Sequence, residues 1–245
     1  LFQPRTPDFL LGFHCAPSLP LNTVGICPGA SNASCDTVTI QVRGRGGHGA
    51  HPEDCVDPVV VAAFVLTQLQ TIVSRERAPM KPSVLTFGAI HGGTAPNVIP
   101  DMVTMQGTLR AFDQSVREQH KEAIKRIANQ CAQAMNGSCL VTFSNGMPPL
   151  VNSQAARQLV VQAADSVLGK GCVYQELPPS MGSDDFSCML DACGGEGIQY
   201  LFGTGTAEVP KSRLGLHVGE NVFPDEAIPL AAAVLIQAAL DYLKG

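Results

Sequence analysis

Two histidines lie near opposite ends of the chain in segments that could bind metal. His14 follows an apolar stretch within Gly12–Cys15, and His217 lies within Leu216–Val218. If both stand at strand ends, their imidazole nitrogens are suitable ligands for zinc or manganese. Solvent-facing loop histidines have the same local pattern, so spacing leaves both interpretations open. Cys15 follows His14, but adjacent side chains diverge, which argues against shared ligation.

An acidic pair near position 184 offers a second candidate chemistry. Asp184 and Asp185 precede an apolar stretch that begins at Phe186. Two carboxylates in a loop can bind metal, orient a metal ligand or exchange protons with a substrate. The alternative is structural, because Ser183 or Asp184 could cap the start of a helix.

The remaining candidate functional residues are polar side chains in two loops that contain glycine and proline. His48 lies in the glycine-rich segment 44–52, and Asn97 lies between Pro96 and Pro100. His48 could reach an active site or be a solvated turn residue, and Asn97 could orient a substrate carboxylate or cap a turn. The sequence contains no GxSxG elbow, no P-loop and no GxGxxG motif that opens a helix after a strand.

Composition limits the possible partners. The chain has 16 basic and 21 acidic residues, a net charge of -5 and no basic cluster, which argues against nucleic-acid binding. The longest apolar runs, Val59–Leu66 and Leu230–Ile236, are shorter than the ~20 residues of a membrane span. We therefore predict a cytoplasmic protein without a membrane partner. The nine cysteines show no CxxC pair and are expected to be mainly small buried residues.

The central part of the chain predicts a four-stranded sandwich. Residues 37–43 alternate between apolar and polar side chains, which indicates a half-buried strand. Asp57 then provides an N-cap, and Pro58 a first-turn proline, for a helix that extends to about Ser74. The elements that follow are a strand at 84–90, a strand at 103–110 that should pair with it, a helix at 116–135 and a strand at 140–143. This order is typical of a ferredoxin-like sandwich with both helices on one face.

The flanking residues predict an α/β arrangement. A helix is expected from Ser153 to Leu168, a strand near 199–202, and a final helix from Asp225, as its cap, to Leu243. The predicted organisation is an α+β ferredoxin-like domain at 34–148, inserted into a partial α/β domain formed by 1–33 and 149–245.

Together these segments resemble the metallopeptidase and amidohydrolase family of aminoacylases, hippurate hydrolase and plant indole-acetyl-amino-acid hydrolases. The resemblance runs almost end to end. It rests on seven segments in order: Gly12-Phe13-His14 with Pro17; Gly44-Arg45-Gly46-Gly47-His48 with Pro52 and Asp57-Pro58; Leu69–Arg75; Gly92–Pro100; Gly107-Thr108-Leu109-Arg110; Asp184-Asp185-Phe186; and Leu216-His217.

The resemblance implies a zinc-peptidase-like catalytic domain with 34–148 as its dimerisation, or lid, domain. It also implies a homodimer and two divalent ions, Zn²⁺ or Mn²⁺, with His14 and His217 as ligands. By the same resemblance, His48 is the lid histidine that reaches the neighbouring subunit's site and stabilises the oxyanion. Asn97, assisted by Arg110, contacts the substrate carboxylate. The substrate implied is an N-acyl amino acid or a short peptide.

The sequence also departs from the family pattern. The family's N-terminal His/Cys-Gly-His-Asp ligand cluster is absent, and Leu1–Pro4, which is similar to the strand before a Glu-Glu pair, continues into Arg5–Phe9 instead. Asp184 replaces a glutamate. We therefore expect an N-terminally truncated member, inactive alone and destabilised by exposed apolar surface. The alternatives are a catalytically inactive dimerising or small-molecule-binding homologue, and a regulatory subunit that lends His48 to a complete paralogue.

Overall fold

The structure, a computed structural model, describes residues 5–144 and 146–244, so the expectation for Leu1–Pro4 lies outside the described residues. These residues form twelve strands and five α-helices. The strands are β1 (Leu10–Pro20), β2 (Val24–Gly25), β3 (Gly29–Asn32), β4 (Asp36–Arg43), β5 (Gly47–His48), β6 (Ser83–Gly92), β7 (Val98–Ile99), β8 (Met102–Ala111), β9 (Ser138–Phe143), β10 (Leu150–Asn152), β11 (Val173–Tyr174) and β12 (Gly197–Gly205). The helices are α1 (Pro58–Thr71), α2 (Gln114–Ala134), α3 (Gln154–Leu168), α4 (Phe186–Ala192) and α5 (Ala227–Lys244).

The chain divides into two compact units. Unit 1 consists of residues 1–32, 150–180 and 184–245, and unit 2 consists of residues 33–149 and 181–183. The second stretch of unit 2 differs from the division expected from the sequence, which placed residues 181–183 with the flanks.

Unit 2 contains a four-stranded antiparallel sheet in the order β6-β8-β4-β9. Its strands and helices follow the predicted order, and β6 pairs with β8 as expected. On β4, Val38, Ile40 and Val42 are fully buried, which confirms the alternating pattern. This is the ferredoxin-like arrangement, so the predicted α+β ferredoxin-like fold is confirmed for this unit.

Helices α1 and α2 pack together and cover the sheet of unit 2. The Asp57 carboxylate accepts a hydrogen bond of 2.8 Å from the Val59 N–H, so the predicted N-cap is confirmed. After Thr71 the helix continues as a π-turn from Ile72 to Glu76. Both helices bury side chains in this core, and those of α1 are Val61, Ala62, Val65 and Leu69.

Unit 1 is built on a mixed sheet in the order β1-β12-β2-β11, in which β1 and β12 are parallel. Its core joins buried residues of this sheet, such as Tyr200 and Phe202, to residues of α3 and α5. Helix α5 begins at Ala227 rather than Asp225, and the backbone carbonyl of Asp225 accepts the Ile228 N–H in the preceding turn. The predicted side-chain cap at Asp225 stays a prediction.

Two helices, Pro58–Glu76 and Ala227–Lys244, are long and apolar enough to cross a membrane by length and composition alone. The short uninterrupted apolar runs in the sequence did not predict that these two helices are so apolar over their full length. Core helices meet the same criteria, and α1 and α5 each bury residues against a sheet of their own unit.

Candidate functional site

The structure brings His48 and Asn97 together in unit 2. Strand β5 pairs antiparallel with β7, with His48 opposite Val98, and the Gly49 N–H donates a 2.8 Å hydrogen bond to the Asn97 carbonyl. The loop containing His48 is closed at its base by reciprocal backbone hydrogen bonds of 2.9 Å between Arg45 and Val56. The two predicted polar residues therefore lie side by side although the sequence separates them widely.

The His48 imidazole is oriented by the loop backbone. The Ala50 N–H donates a hydrogen bond of 3.1 Å to His48 Nδ1. The neutral ring therefore carries its proton on Nε2, which makes the exposed end of the ring a hydrogen-bond donor. This is the tautomer that can stabilise negative charge on an oxygen atom.

An open cleft of about 440 Å³ adjoins this pair of strands. Its lining residues are Gly49, Asp57, Val59, Gly92, Gly93, Thr94, Ala95, Pro96, Val98, Ile99 and Pro100. Asn97 is exposed on the same loop. The cleft is a candidate substrate surface because its wall includes Val98 and Ile99 of β7 and Gly49, the residue that follows His48.

Arg110 is anchored to the short second stretch of unit 2. Its guanidinium donates a hydrogen bond of 2.8 Å to the Met181 carbonyl, and the Ala33 N–H donates one of 3.0 Å to the Gly182 carbonyl. These bonds explain why residues 181–183 cluster with unit 2. The sequence contained no signal for this contact, because a long-range bond to a backbone carbonyl leaves no residue pattern.

The predicted metal ligands lie in unit 1, and neither is placed at a strand end. His14 lies within β1, opposite Leu201, and its Nδ1 donates a 2.9 Å hydrogen bond to the Cys15 carbonyl, which leaves Nε2 as the acceptor nitrogen. His217 is an exposed turn residue with a φ of 63°. Burial raises the pKa of the neighbouring Cys15 thiol, as is typical of an unreactive cysteine.

Of the two acidic residues, Asp184 makes hydrogen bonds at the start of α4. Asp184 Oδ1 accepts a 2.9 Å hydrogen bond from the Phe186 N–H, and the Asp184 carbonyl accepts one of 3.2 Å from the Ser187 N–H. Asp184 thus accepts hydrogen bonds at the start of α4, one residue before the N-cap Asp185, whose own side chain makes no capping hydrogen bond. Across residues 5–144 and 146–244, no group of three or more His, Cys, Asp or Glu side chains is arranged to hold a metal ion.

His51 lies next to His48 and was not singled out from the sequence. The two ring centroids are 5.7 Å apart, and His51 Nδ1 lies 3.6 Å from Glu53 Oε1. The i, i+3 spacing of the two histidines was the available signal.

The sequence matches known proteins over almost its whole length. Residues 32–135 match the family model described as a peptidase dimerisation domain. Hippurate hydrolase of Campylobacter jejuni is 32% identical over 247 residues, covering 100% of this chain and 62% of that protein. N-acetyl-L-cysteine deacetylase of Bacillus subtilis is 36% identical over 184 residues, covering 75% of this chain and 44% of that protein.

A solved structure shows the same fold. The Bacillus subtilis YXEP protein, described as a dinuclear metal binding peptidase, superposes with a TM-score of 0.76 at 24% identity, covering 96% of this chain and 57% of that one. The chain thus spans about half the length of the proteins that it matches. The dimerisation-domain match and the end-to-end similarity to these hydrolases agree with the resemblance to the metallopeptidase and amidohydrolase family.

Proposed function

We propose that the protein is a metal-dependent hydrolase of the amide bond in N-acyl amino acids or short peptides. The observation that carries this proposal is the pairing of β5 with β7, which places His48 beside the Asn97 loop. The names of relatives, hippurate hydrolase and N-acetyl-L-cysteine deacetylase, support amide-linked acyl groups as the substrate class. In this reaction water adds to the carbonyl carbon, the C–N bond breaks, and an acid and a free amino acid leave.

His48 is the proposed catalytic hydrogen-bond donor. Its Nε2–H would donate to the carbonyl oxygen as negative charge develops there, in the active site of the second subunit of a homodimer. Loss of one oxyanion donor of this kind typically lowers kcat by about 10²–10³-fold.

Asn97 and Arg110 are the proposed contacts of the substrate carboxylate. The Asn97 side-chain amide can donate hydrogen bonds, and Arg110 has further N–H groups besides the one that donates to the Met181 carbonyl. The bond to Met181 fixes the guanidinium, so the remaining donors are held in one orientation.

The metal requirement is only partly matched by the described residues. His14 is suited to ligation because its Nδ1–H is held by a carbonyl, which orients Nε2 as a ligand. The described residues do not form a site with three protein ligands, so by themselves they do not fit two ions. In the proposed site, His14 and His217 are each one ligand of Zn²⁺ or Mn²⁺, and additional ligands are required.

The proposed assembly is a homodimer through residues 34–148, and the proposed location is the cytoplasm. The match to a peptidase dimerisation domain over residues 32–135 supports the first of these. On α1, Val59, Val60 and Phe64 are exposed and supply apolar surface for such an interface.

The decisive experiment measures metal content and turnover of the purified chain. Hydrolysis of benzoylglycine and N-acetylcysteine is followed with and without added Zn²⁺ or Mn²⁺. If the chain turns over either substrate, His48→Ala should lower kcat by about 10²–10³-fold, whereas His91→Ala, at an exposed histidine of the same unit, should leave it unchanged. Equal turnover in both variants would contradict the role of His48, and absence of metal and turnover would contradict the hydrolase proposal for this chain.

A second candidate is a dimerising or small-molecule-binding protein without catalysis. It is favoured by the lack of a three-ligand cluster among residues 5–144 and 146–244. Binding of benzoylglycine, measured by calorimetry and weakened by Asn97→Ala, would support this candidate if turnover is absent.

A further inference from the structure

His48 and His51 have the separation of two ligands of one metal ion. Their ring centroids lie 5.7 Å apart, and both side chains are exposed. Imidazole nitrogens bind zinc at about 2.0–2.1 Å in tetrahedral geometry, which places the centroids of two such rings about 5–6 Å apart. From this geometry we infer that His48 and His51 form a second metal site, located in unit 2, for a divalent transition ion such as Zn²⁺.

The loop already holds both residues in place. The His51 N–H donates a 2.9 Å hydrogen bond to the His48 carbonyl, which fixes the turn between them. The Asp54 and Cys55 N–H groups donate to the carbonyls of His51 and Pro52 at 3.2 and 3.1 Å. Because the backbone is fixed before the ion arrives, binding requires little additional ordering.

The Glu53 carboxylate lies on the Nδ1 side of the His51 ring. Its carboxylate oxygen lies 3.6 Å from His51 Nδ1, so Nδ1 faces the carboxylate and Nε2 faces away from it. A carboxylate behind the second ring nitrogen is the usual support of a metal-bound histidine.

His48 must change its tautomer to bind the ion. Ligation by Nε2 requires the ring proton on Nδ1, where the Ala50 N–H now donates. Binding therefore moves this proton and breaks one exposed hydrogen bond, while water fills the remaining positions on the ion. The bound ion would also remove His48 Nε2 from the role assigned to it above, a consequence that rests on the proposed function.

The test uses the full chain and resolves its six histidines by the NMR signals of their ring Cε1–H groups. We expect substoichiometric Co²⁺, as a paramagnetic substitute for Zn²⁺, to broaden the signals of His48 and His51 together while His91 stays sharp. Zn²⁺ should shift the Ala50 amide signal. Ions bound at His14 or His217 affect the ring signals of those two histidines, so metal binding at the proposed catalytic site is measured separately.

Variants provide the quantitative check. His51→Gln should raise the Kd of Zn²⁺ at His48 at least tenfold, and Glu53→Gln should raise it severalfold, whereas His91→Gln should not change it. Broadening of His48 that persists in His51→Gln, or no broadening of either signal at one equivalent of Co²⁺, would overturn the inference.

Discussion

Ser83 Oγ lies 2.8 Å from His120 Nε2, and both side chains are buried between β6 and α2. Burial, assisted by the positive charge of Arg77, lowers the pKa of His120 below its ordinary value of 6.5. Protonation is therefore harder in the folded protein than in the unfolded chain. The stability contributed by neutral His120 is fully present above pH 6.5 and is lost as the pH falls through the lowered pKa.

We predict that unfolding by urea becomes easier between pH 7.5 and pH 5.5 in the wild-type chain, and that His120→Gln reduces this pH dependence. His91→Gln, which alters an exposed histidine, should keep the wild-type slope. An unchanged slope in His120→Gln would show that another group governs the effect.

The buried ion pair in unit 2 predicts a large loss of stability. Arg117 donates two hydrogen bonds of 2.7 Å to the Asp36 carboxylate, and Lys121 Nζ lies 3.2 Å from the same group. Asp36→Asn would remove the buried negative charge that Arg117 and Lys121 share, so the free energy of unfolding should fall by about 3 kcal/mol. Glu122→Gln, which removes the exposed partner of Lys125, should change it by about 0.5 kcal/mol or less. Similar losses in both variants would contradict this account.

A side chain at position 44 is expected to cause a steric clash at the base of the His48 loop. A Cβ atom at Gly44 would collide with the Val56 carbonyl oxygen, which accepts the Arg45 N–H. Gly44→Ala should therefore lower the free energy of unfolding by about 1–3 kcal/mol and alter the His48 ring signals. Gly88→Ala is the control because a Cβ there meets no atom within 4 Å. Unaltered His48 signals in Gly44→Ala would show that the loop base adapts without moving the ring.

The proposed homodimer predicts an effect of Phe64. This α1 side chain is 54% exposed, and burial of an aromatic ring contributes strongly to an interface. Phe64→Asp should shift the chain towards the monomer in analytical ultracentrifugation. Ile236→Asp in α5, where the side chain is 57% exposed, should leave the assembly unchanged. A monomeric wild-type chain, or a dimer disrupted only by Ile236→Asp, would contradict the proposal.

Local patterns predicted the elements of unit 2 because their causes are local. The alternation along β4 reflects one buried face, and the Asp57 cap depends on neighbouring backbone groups. The pairing of β5 with β7 had no such signal, since two-residue strands in glycine-rich loops lack a period.

The candidate site was predicted as a set of residues but not as an arrangement. His48 and Asn97 were both identified, yet their proximity depends on the long-range pairing of β5 with β7. His14 and His217 were expected at strand ends, but the strand continues past His14 and His217 lies in a turn. Around His14 and His217 the sequence pattern shows which residues are apolar and which are polar. The ends of the elements depend instead on hydrogen bonds between residues that are distant in the sequence.

The pairing of β1 with β12 has a consequence for the order in which the chain folds during synthesis. Leu10 pairs with Gly197, so β1 cannot pair with β12 until the segment around Gly197 has left the ribosome. All strands of the unit 2 sheet lie between Asp36 and Phe143 and can associate earlier. Early folding of that sheet would draw the flanking segments together and shorten the loop that β1 and β12 must close.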